Sequence, residues 1–179
     1  MPDGTFEVSV VTPESELLRT QARAIVLRSS DGDLTVLDGH TPIVTDVLPG
    51  DVRVDPADGD PVHLAVHGGY LQVETGQGLD GTDARSTRAT LLAGTAELAD
   101  KIDVARAERA RAEAEARVEE LRAAAGRTGG PGTGAAAGGG TGGGAEGEGA
   151  VVPGDLELSE AEAALERAQV RLEVAGAGG

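Results

Sequence analysis

Hydrophobic residues in the first half of the chain fall in short runs of Val, Leu and Ile separated by turn residues. The segment Phe6–Val10 alternates apolar and polar residues, as expected for a strand with one buried face. Asp31-Gly32 and Gly68-Gly69 are among the turn signals between such segments. Further strands are predicted at residues 24–27, 34–37, 52–54, 62–66, 70–73 and 89–92. Several short strands with tight turns predict an all-β sandwich or barrel over residues 1–93.

The pattern changes near Thr95, where alternation gives way to helix-forming residues. From Glu97 to Ala125 the sequence contains no Gly or Pro and is dominated by Ala, Glu and Arg, which are all strong helix formers. We therefore predict one long helix in the segment 94–125, with narrow apolar faces. The residues of these faces are Leu98, Ile102, Ala105, Ala112 and Ala116, with Ala107, Ala110, Ala114, Val118 and Leu121 beside them.

A second helix is predicted from Ser159 to Val174, within the segment 151–179. Ser159 and Glu162 have the spacing of a capping box, and apolar residues recur at helical spacing from Ala161 to Leu172. Residues 126–150 contain 13 of the 28 glycines and predict a flexible linker. The chain is thus predicted to be α+β: an N-terminal all-β sandwich followed by a C-terminal two-helix antiparallel hairpin with a Gly-rich linker.

Charge and composition narrow the function classes. The chain has 15 Lys+Arg against 31 Asp+Glu, a formal net charge of −16, which disfavours nucleic acid and anionic lipid headgroups as partners. The absence of Cys excludes disulfides and Cys-ligated metals. No apolar run is long enough to span a bilayer, and the N-terminus lacks the features of a signal peptide. We expect a protein that is neither exported nor anchored in the membrane by its own sequence.

Motifs of catalysis and metal binding are weak. The only lysine, Lys101, follows Asp100, so no Walker P-loop exists, and the glycine tract lacks the preceding strand of a dinucleotide site. His63 and His67 would stand about 13 Å apart on one strand, too far to share a metal. We predict no catalytic residues and no metal ligands. The two aromatic residues, Phe6 and Tyr70, are expected to be core or interface anchors.

Charged residues on the two predicted helices permit two interpretations. Arg167 and Arg171 lie four residues apart on one face, and Asp103 and Arg106 lie within one turn of each other. They are either solvated ion pairs, each contributing a few tenths of a kcal/mol, or guanidinium groups that converge on a phosphate chain. The residue types alone leave both interpretations open.

Three segments of the first half resemble a known family in their order and spacing: Leu34–Ile43, Leu48–Val54 and Gly68–Val73. They are similar to the β-sandwich of the epsilon subunit of rotary F-type ATP synthases, and the resemblance extends over residues 5–125 and 159–174. Within it, Ile102–Ala107 looks like the nucleotide-binding motif of ATP-responsive members, and Arg167–Leu172 is similar to their second helix. The resemblance implies a regulatory ATP site formed by Glu97, Asp103, Arg106, Ala107, Arg167 and Arg171.

The resemblance also implies a role. It implies a non-catalytic subunit of the central stalk that couples proton-driven rotation to ATP synthesis, with no required cofactor and with ATP as a regulatory ligand. The implied partners are the gamma subunit, the c-ring and the alpha/beta catalytic head, which the second helix would enter to block hydrolysis. The implied location is the cytoplasmic face of the plasma membrane, with membrane contact only through the complex. The alternative is a free-standing ATP-sensing module with the same sandwich and hairpin.

Overall fold

Strands fill the first half of the protein and helices follow them. The structure is a computed structural model that describes residues 4–77, 85–128 and 153–178. Within these ranges a 3₁₀ turn at Ala99–Lys101 leads from the strands to helices α1 (Val104–Thr128) and α2 (Pro153–Ala177). The strands are β1 (Phe6–Val11), β2 (Glu16–Ser29), β3 (Gly32–Leu37), β4 (Ile43–Val47), β5 (Gly50–Pro56), β6 (Val62–Val66), β7 (Gly69–Gln77), β8 (Arg85–Ala93) and β9 (Ala96–Leu98).

The strands hydrogen-bond in the order β4-β7-β8-β1-β2-β5-β6-β9, with β3 also paired to β2. Strands β1 and β8 run parallel, whereas the other described pairs are antiparallel. The 14-residue β2 pairs with β1 through its first half and with β3 and β5 through its second half. The sandwich and the α+β class predicted from the sequence are confirmed.

Alternating apolar residues fill the interior of the sandwich. Phe6, Val8 and Val10 of β1 are buried, as the period-two pattern predicts, and so are Leu71 and Leu91 on β7 and β8. Together with the buried residues of β2, β3, β5 and β6 they form one hydrophobic cluster. The sandwich thus has a core of its own that does not include α1 or α2.

Two adjacent glycines allow β7 to begin close to β8. Gly68 has φ +100°, which side-chain-bearing residues rarely adopt. A Cβ on Gly69 would lie 2.3 Å from the backbone oxygen of Leu92. The Gly68-Gly69 pair predicted as a turn is therefore required both for its backbone conformation and for close strand packing.

The predicted long helix is present, but the prediction that it begins at Glu97 is wrong. Ala96–Leu98 form β9, which pairs with β6 through Leu64 and Leu98, and α1 begins only at Val104. Ala96–Leu98 consist of strong helix formers, but they form a strand because the edge of β6 offers them backbone hydrogen bonds. Local helix propensity takes no account of such long-range pairing. The prediction also missed β4 and the first half of β2.

The second helix begins earlier than predicted. Helix α2 starts at Pro153, so Ser159 lies inside the helix and the predicted capping box is wrong. Proline suits the first helical position, and the negative charge of Asp155 in the first turn interacts favourably with the helix dipole. Residues 126–128 of the predicted linker belong to α1, and its remaining residues, 129–150, lie outside the described residues.

The chain divides into two compact units. The first comprises residues 1–108 and 166–179, which include the sandwich, the first turn of α1 and the last turns of α2. The second comprises residues 109–165. In the second unit the helices are joined by the ion pairs Arg117–Glu157 at 3.2 Å and Arg122–Glu162 at 2.7 Å. Its buried apolar residues are Ala114, Val118 and Ala161.

Candidate functional site

The end of α2 rests on the outer side of β6 and β9. Leu64 and Val66 point into the sandwich core, so the intervening Ala65 faces outward, where it is nevertheless fully buried. We call the contact that covers it the docking contact, which is formed by Ala65, Ile102, Val170 and Val174, with Ala99 and Ala175 at its margin. Its small side chains bring the last turns of α2 close to the strands.

A partly buried ion pair lies on the same surface. Arg171 donates to Glu97 Oε1 from Nε at 3.0 Å and from Nη2 at 2.5 Å. The side chains of Arg171 and Glu97 are 27% and 34% exposed. A charge-assisted pair with this degree of burial is stronger than an exposed one, so it ties α2 to β9 in addition to the apolar contact.

His67 follows β6 and lies beside this ion pair. Its backbone N–H donates to the carbonyl of Thr95 at 3.0 Å, which holds it next to β9. Both ring nitrogens are buried and have no hydrogen-bond partner among the described residues. Burial lowers the pKa of the imidazole, the nearby Arg171 and Arg167 lower it further, and only Glu97 acts in the opposite direction. The neutral form of His67 is therefore favoured at this position relative to a solvent-exposed histidine.

The motif Ile102–Ala107 has local structural roles. Asp103 Oδ1 accepts the backbone N–H of Arg106 at 2.9 Å, and the Asp103 carbonyl accepts the N–H of Ala107 at 2.9 Å. Asp103 is thus the N-cap of α1. Ile102 belongs to the docking contact, and Ala107 is buried with 3% exposure. These contacts explain much of the motif without a ligand.

The predicted site residues are therefore only partly gathered by the described contacts. Arg171 and Glu97 are hydrogen-bonded to each other, and both of them, together with Arg167, lie near enough to His67 to influence its pKa. Arg106 and Arg167 are exposed, and neither forms an ion pair within the described part of the chain.

Sequence reasoning missed His67 as a member of this group, because it tested the residue only as a metal ligand paired with His63 and rejected that pairing on their spacing of about 13 Å. His63 instead contacts Asp51 through Nδ1 at 2.8 Å. The usable signal was that His67, Ala65 and Glu97 share one face once β6 and β9 are paired in register.

A second surface lies on the outer side of β4, β7 and β8. Tyr70 and Leu92 are direct cross-strand neighbours, 62% and 49% exposed, and Val44 on β4 is 70% exposed. We call these three residues the outer apolar patch. Their neighbours along the strands, including Leu71 and Leu91, point into the core. Large apolar side chains grouped on one exposed sheet face indicate a protein interface.

Phe6 is buried, so the expectation of a core or interface role is confirmed for Phe6, whereas Tyr70 is exposed.

Comparison with known sequences decides the family. The ATP synthase epsilon chain of Desulforudis audaxviator is 37% identical over 110 residues, which cover 62% of this chain and 72% of that relative. This chain belongs to the ATP synthase epsilon chain family. The epsilon chain of Priestia megaterium is 38% identical over 106 residues, covering 59% of this chain and 70% of the relative. Residues 5–77 match the family described as ATP synthase, Delta/Epsilon chain, beta-sandwich domain.

The fold has a counterpart among solved structures. A chain of the mitochondrial ATP synthase of Euglena gracilis, solved by cryo-electron microscopy, aligns with a TM-score of 0.61 and 18% identity. The alignment covers 98% of this chain and 82% of that chain, which shows that the fold is shared.

Family membership confirms the resemblance drawn from the segments Leu34–Ile43, Leu48–Val54 and Gly68–Val73. An epsilon chain is a subunit of ATP synthase that is not itself catalytic. Within the described ranges, neither helix combines the length and apolarity needed to cross a membrane.

Proposed function

We propose that this epsilon chain attaches to the central stalk through its sandwich and regulates ATP hydrolysis through its two C-terminal helices. Attachment would couple proton-driven rotation to ATP synthesis, with the gamma subunit and the c-ring as partners. The observation that carries the regulatory part is the docking contact, in which the end of α2 is held on the sandwich by a few small apolar residues and one ion pair. A helix held this way can leave the sandwich and enter the alpha/beta catalytic head.

The small size of the docking contact supports a reversible association. Two valines, Val170 and Val174, supply most of the apolar side chain that α2 buries there. Burying a valine contributes roughly 1.5–3 kcal/mol, so the apolar contribution amounts to only a few kcal/mol. Differences in affinity of this size lie within the range that a ligand or a partner subunit can supply.

The outer apolar patch supports attachment to a partner subunit, and we assign it to gamma. Tyr70 is a large amphipathic side chain on a rigid strand, a residue type enriched among interface residues that dominate binding energy. Tyr70→Asp should weaken co-purification with gamma by tenfold or more, because it places a charge in a desolvated interface. Thr35→Asp, at an exposed position on β3, is the matched control. Equal retention of both variants would refute the assignment.

The same binding assay separates this function from the alternative. A free-standing ATP-sensing module would not bind gamma at all. Capture of gamma by the unmodified chain from solubilised membranes would therefore exclude that alternative, and failure of capture would favour it. The proposed place of action is the cytoplasmic face of the plasma membrane, reached only through the assembled complex.

We also propose that ATP is a regulatory ligand of the docked state. Arg106 on α1 and Arg167 on α2 are exposed cations without ion-pair partners in the described residues, and Arg171 follows Arg167 by one helical turn on α2. The net charge of −16 opposes a triphosphate at long range, so the site needs several guanidinium donors close to the phosphates, and these arginines would supply them. Glu97, Asp103 and Ala107 complete the proposed site. ATP at about 100 times its Kd would stabilise the docked state by about 2.7 kcal/mol.

Isothermal calorimetry with the isolated chain tests ATP binding. Arg106→Ala should weaken binding by about tenfold or more, since hydrogen bonds to charged groups contribute about 1.5–3 kcal/mol. It is a sharper test than Arg171→Ala, which also removes the ion pair with Glu97. Arg111→Ala, on the same helix but paired with Glu115, is the control. Absence of binding heat at millimolar ATP, or equal affinity of all variants, would return these arginines to the role of solvated surface charges.

A further inference from the structure

His67 is a polar side chain placed where the described structure gives it no hydrogen-bond partner. Its two ring nitrogens are buried beside the last turns of α2, although an imidazole always carries at least one donor. A buried polar group without a partner destabilises the state that buries it. The unpartnered ring of His67 therefore disfavours the docked state of α2. We infer that release of α2 would let water reach the ring and form these hydrogen bonds.

The charges near His67 make the docking of α2 depend on whether the His67 ring is protonated. Arg171 and Arg167 on α2 lower the pKa of the ring through their charge, and Glu97 on β9 raises it. Glu97 is already engaged by Arg171 through two hydrogen bonds, so it is a poor partner for an imidazolium. A proton on His67 would add a third positive charge to those of Arg167 and Arg171, whereas Glu97 is the one carboxylate among the described residues that raises the pKa of the ring.

We propose that His67 makes the docking of α2 on the sandwich sensitive to pH, with acidification releasing the helix. This deepens the proposed regulatory role and rests on it for its biological meaning, but the docking step itself requires neither ATP nor partner subunits. Two features of geometry carry the inference. The ring nitrogens of His67 are buried and unpartnered among the described residues, and His67 lies two residues after Ala65, on the sheet face that Val170 and Val174 of α2 cover.

Proton linkage determines whether docking strengthens or weakens as the pH falls. In the docked state the pKa of His67 lies below its ordinary value of 6.5, mainly because of burial. The released state therefore binds more protons as the pH falls below that ordinary value. Docking is strongest above this range and weakens on acidification. The docking constant falls by up to tenfold for each pH unit over which the released chain holds a proton that the docked chain excludes.

The test measures docking in the isolated full chain without ATP. The chain has no cysteine, so Cys at the exposed positions Asp60 and Gln169 gives two unique sites for a fluorescent donor and acceptor. Energy transfer between them reports the docked fraction from pH 7.5 to pH 5.0. Transfer should fall as the pH is lowered and recover when the pH is restored, while circular dichroism shows the sandwich still folded.

Variants identify the responsible group. His67→Gln keeps a polar side chain but cannot titrate, so it should abolish the response, whereas His63→Gln should retain it. His67→Leu, which has no unpartnered nitrogens, should raise the docking constant at pH 7.5 by about fivefold or more and also abolish the response. A response that is absent in the unmodified chain, or that persists in both His67 variants, would overturn the proposal. Neither result would affect ATP binding or control of hydrolysis, which this assay does not measure.

Discussion

Val174 is the most informative single position for the stability of the docked hairpin. It is fully buried, with 0% exposure, and it packs on Ala65 and Ile102 rather than in the sandwich core. Val174→Ala removes two carbon atoms from this contact and keeps a residue that is favourable in a helix. The substitution should therefore weaken docking while leaving the sandwich intact.

The expected effect of Val174→Ala can be estimated from its burial. Each buried methyl or methylene contributes about 0.8 kcal/mol, so the loss of two costs about 1.6 kcal/mol before any cavity is counted. About 1.4 kcal/mol corresponds to a tenfold change in an equilibrium constant. We expect the docking constant to fall by at least about tenfold. The total apolar contribution is a few kcal/mol, so this loss is a large fraction of it.

The assay is energy transfer between labels at Asp60 and Gln169, combined with thermal unfolding of the same chains. Val174→Ala should shift the docked fraction strongly and leave the melting temperature of the sandwich nearly unchanged. Glu173→Ala, at the exposed neighbouring position, is the control for nonspecific loss of helix stability. An unchanged docked fraction, or an equal loss in both variants, would refute the view that this apolar contact holds α2 on the sandwich.

Two further predictions concern the sandwich itself. Gly69→Ala should destabilise it by about 1–3 kcal/mol, because the new Cβ would lie 2.3 Å from the backbone of Leu92, whereas Gly94→Ala meets nothing within 4 Å and should be nearly neutral. Calorimetric melting of both variants checks this, and equal melting temperatures would contradict it. A fragment of residues 1–103 should fold alone with a cooperative melt, because it retains β9 on the edge of β6; a shorter fragment of residues 1–93 should fold but be less stable. Failure of the longer fragment to fold would mean that the helices are needed.

The sandwich was largely predictable because its signals are local. Alternation in β1 and the glycine turns require only neighbouring residues, and both are present in the structure. Strand β9 was not predictable in the same way. Ala96–Leu98 consists of residues that favour a helix, and they form a strand only because the edge of β6, some thirty residues earlier in the chain, is available.

The candidate site shows the same division. Asp103 precedes the helix and is a residue type favoured at N-caps, so its structural role can be predicted from local sequence, although the same residue also fits a charged helix face or a ligand motif. The surroundings of His67 were not readable. They depend on the register of β6 against β9 and on the docking of α2, which follow from contacts between distant segments.

The central claim is that the C-terminal helices regulate hydrolysis in the assembled enzyme. The most direct measurement compares the ATP hydrolysis rate of the complex containing the full chain with that of the complex in which residues 126–179 are deleted. The account predicts that the deletion assembles normally, since the outer apolar patch is retained, and that it hydrolyses ATP faster because α2 is absent. Normal assembly with an unchanged hydrolysis rate would contradict the account.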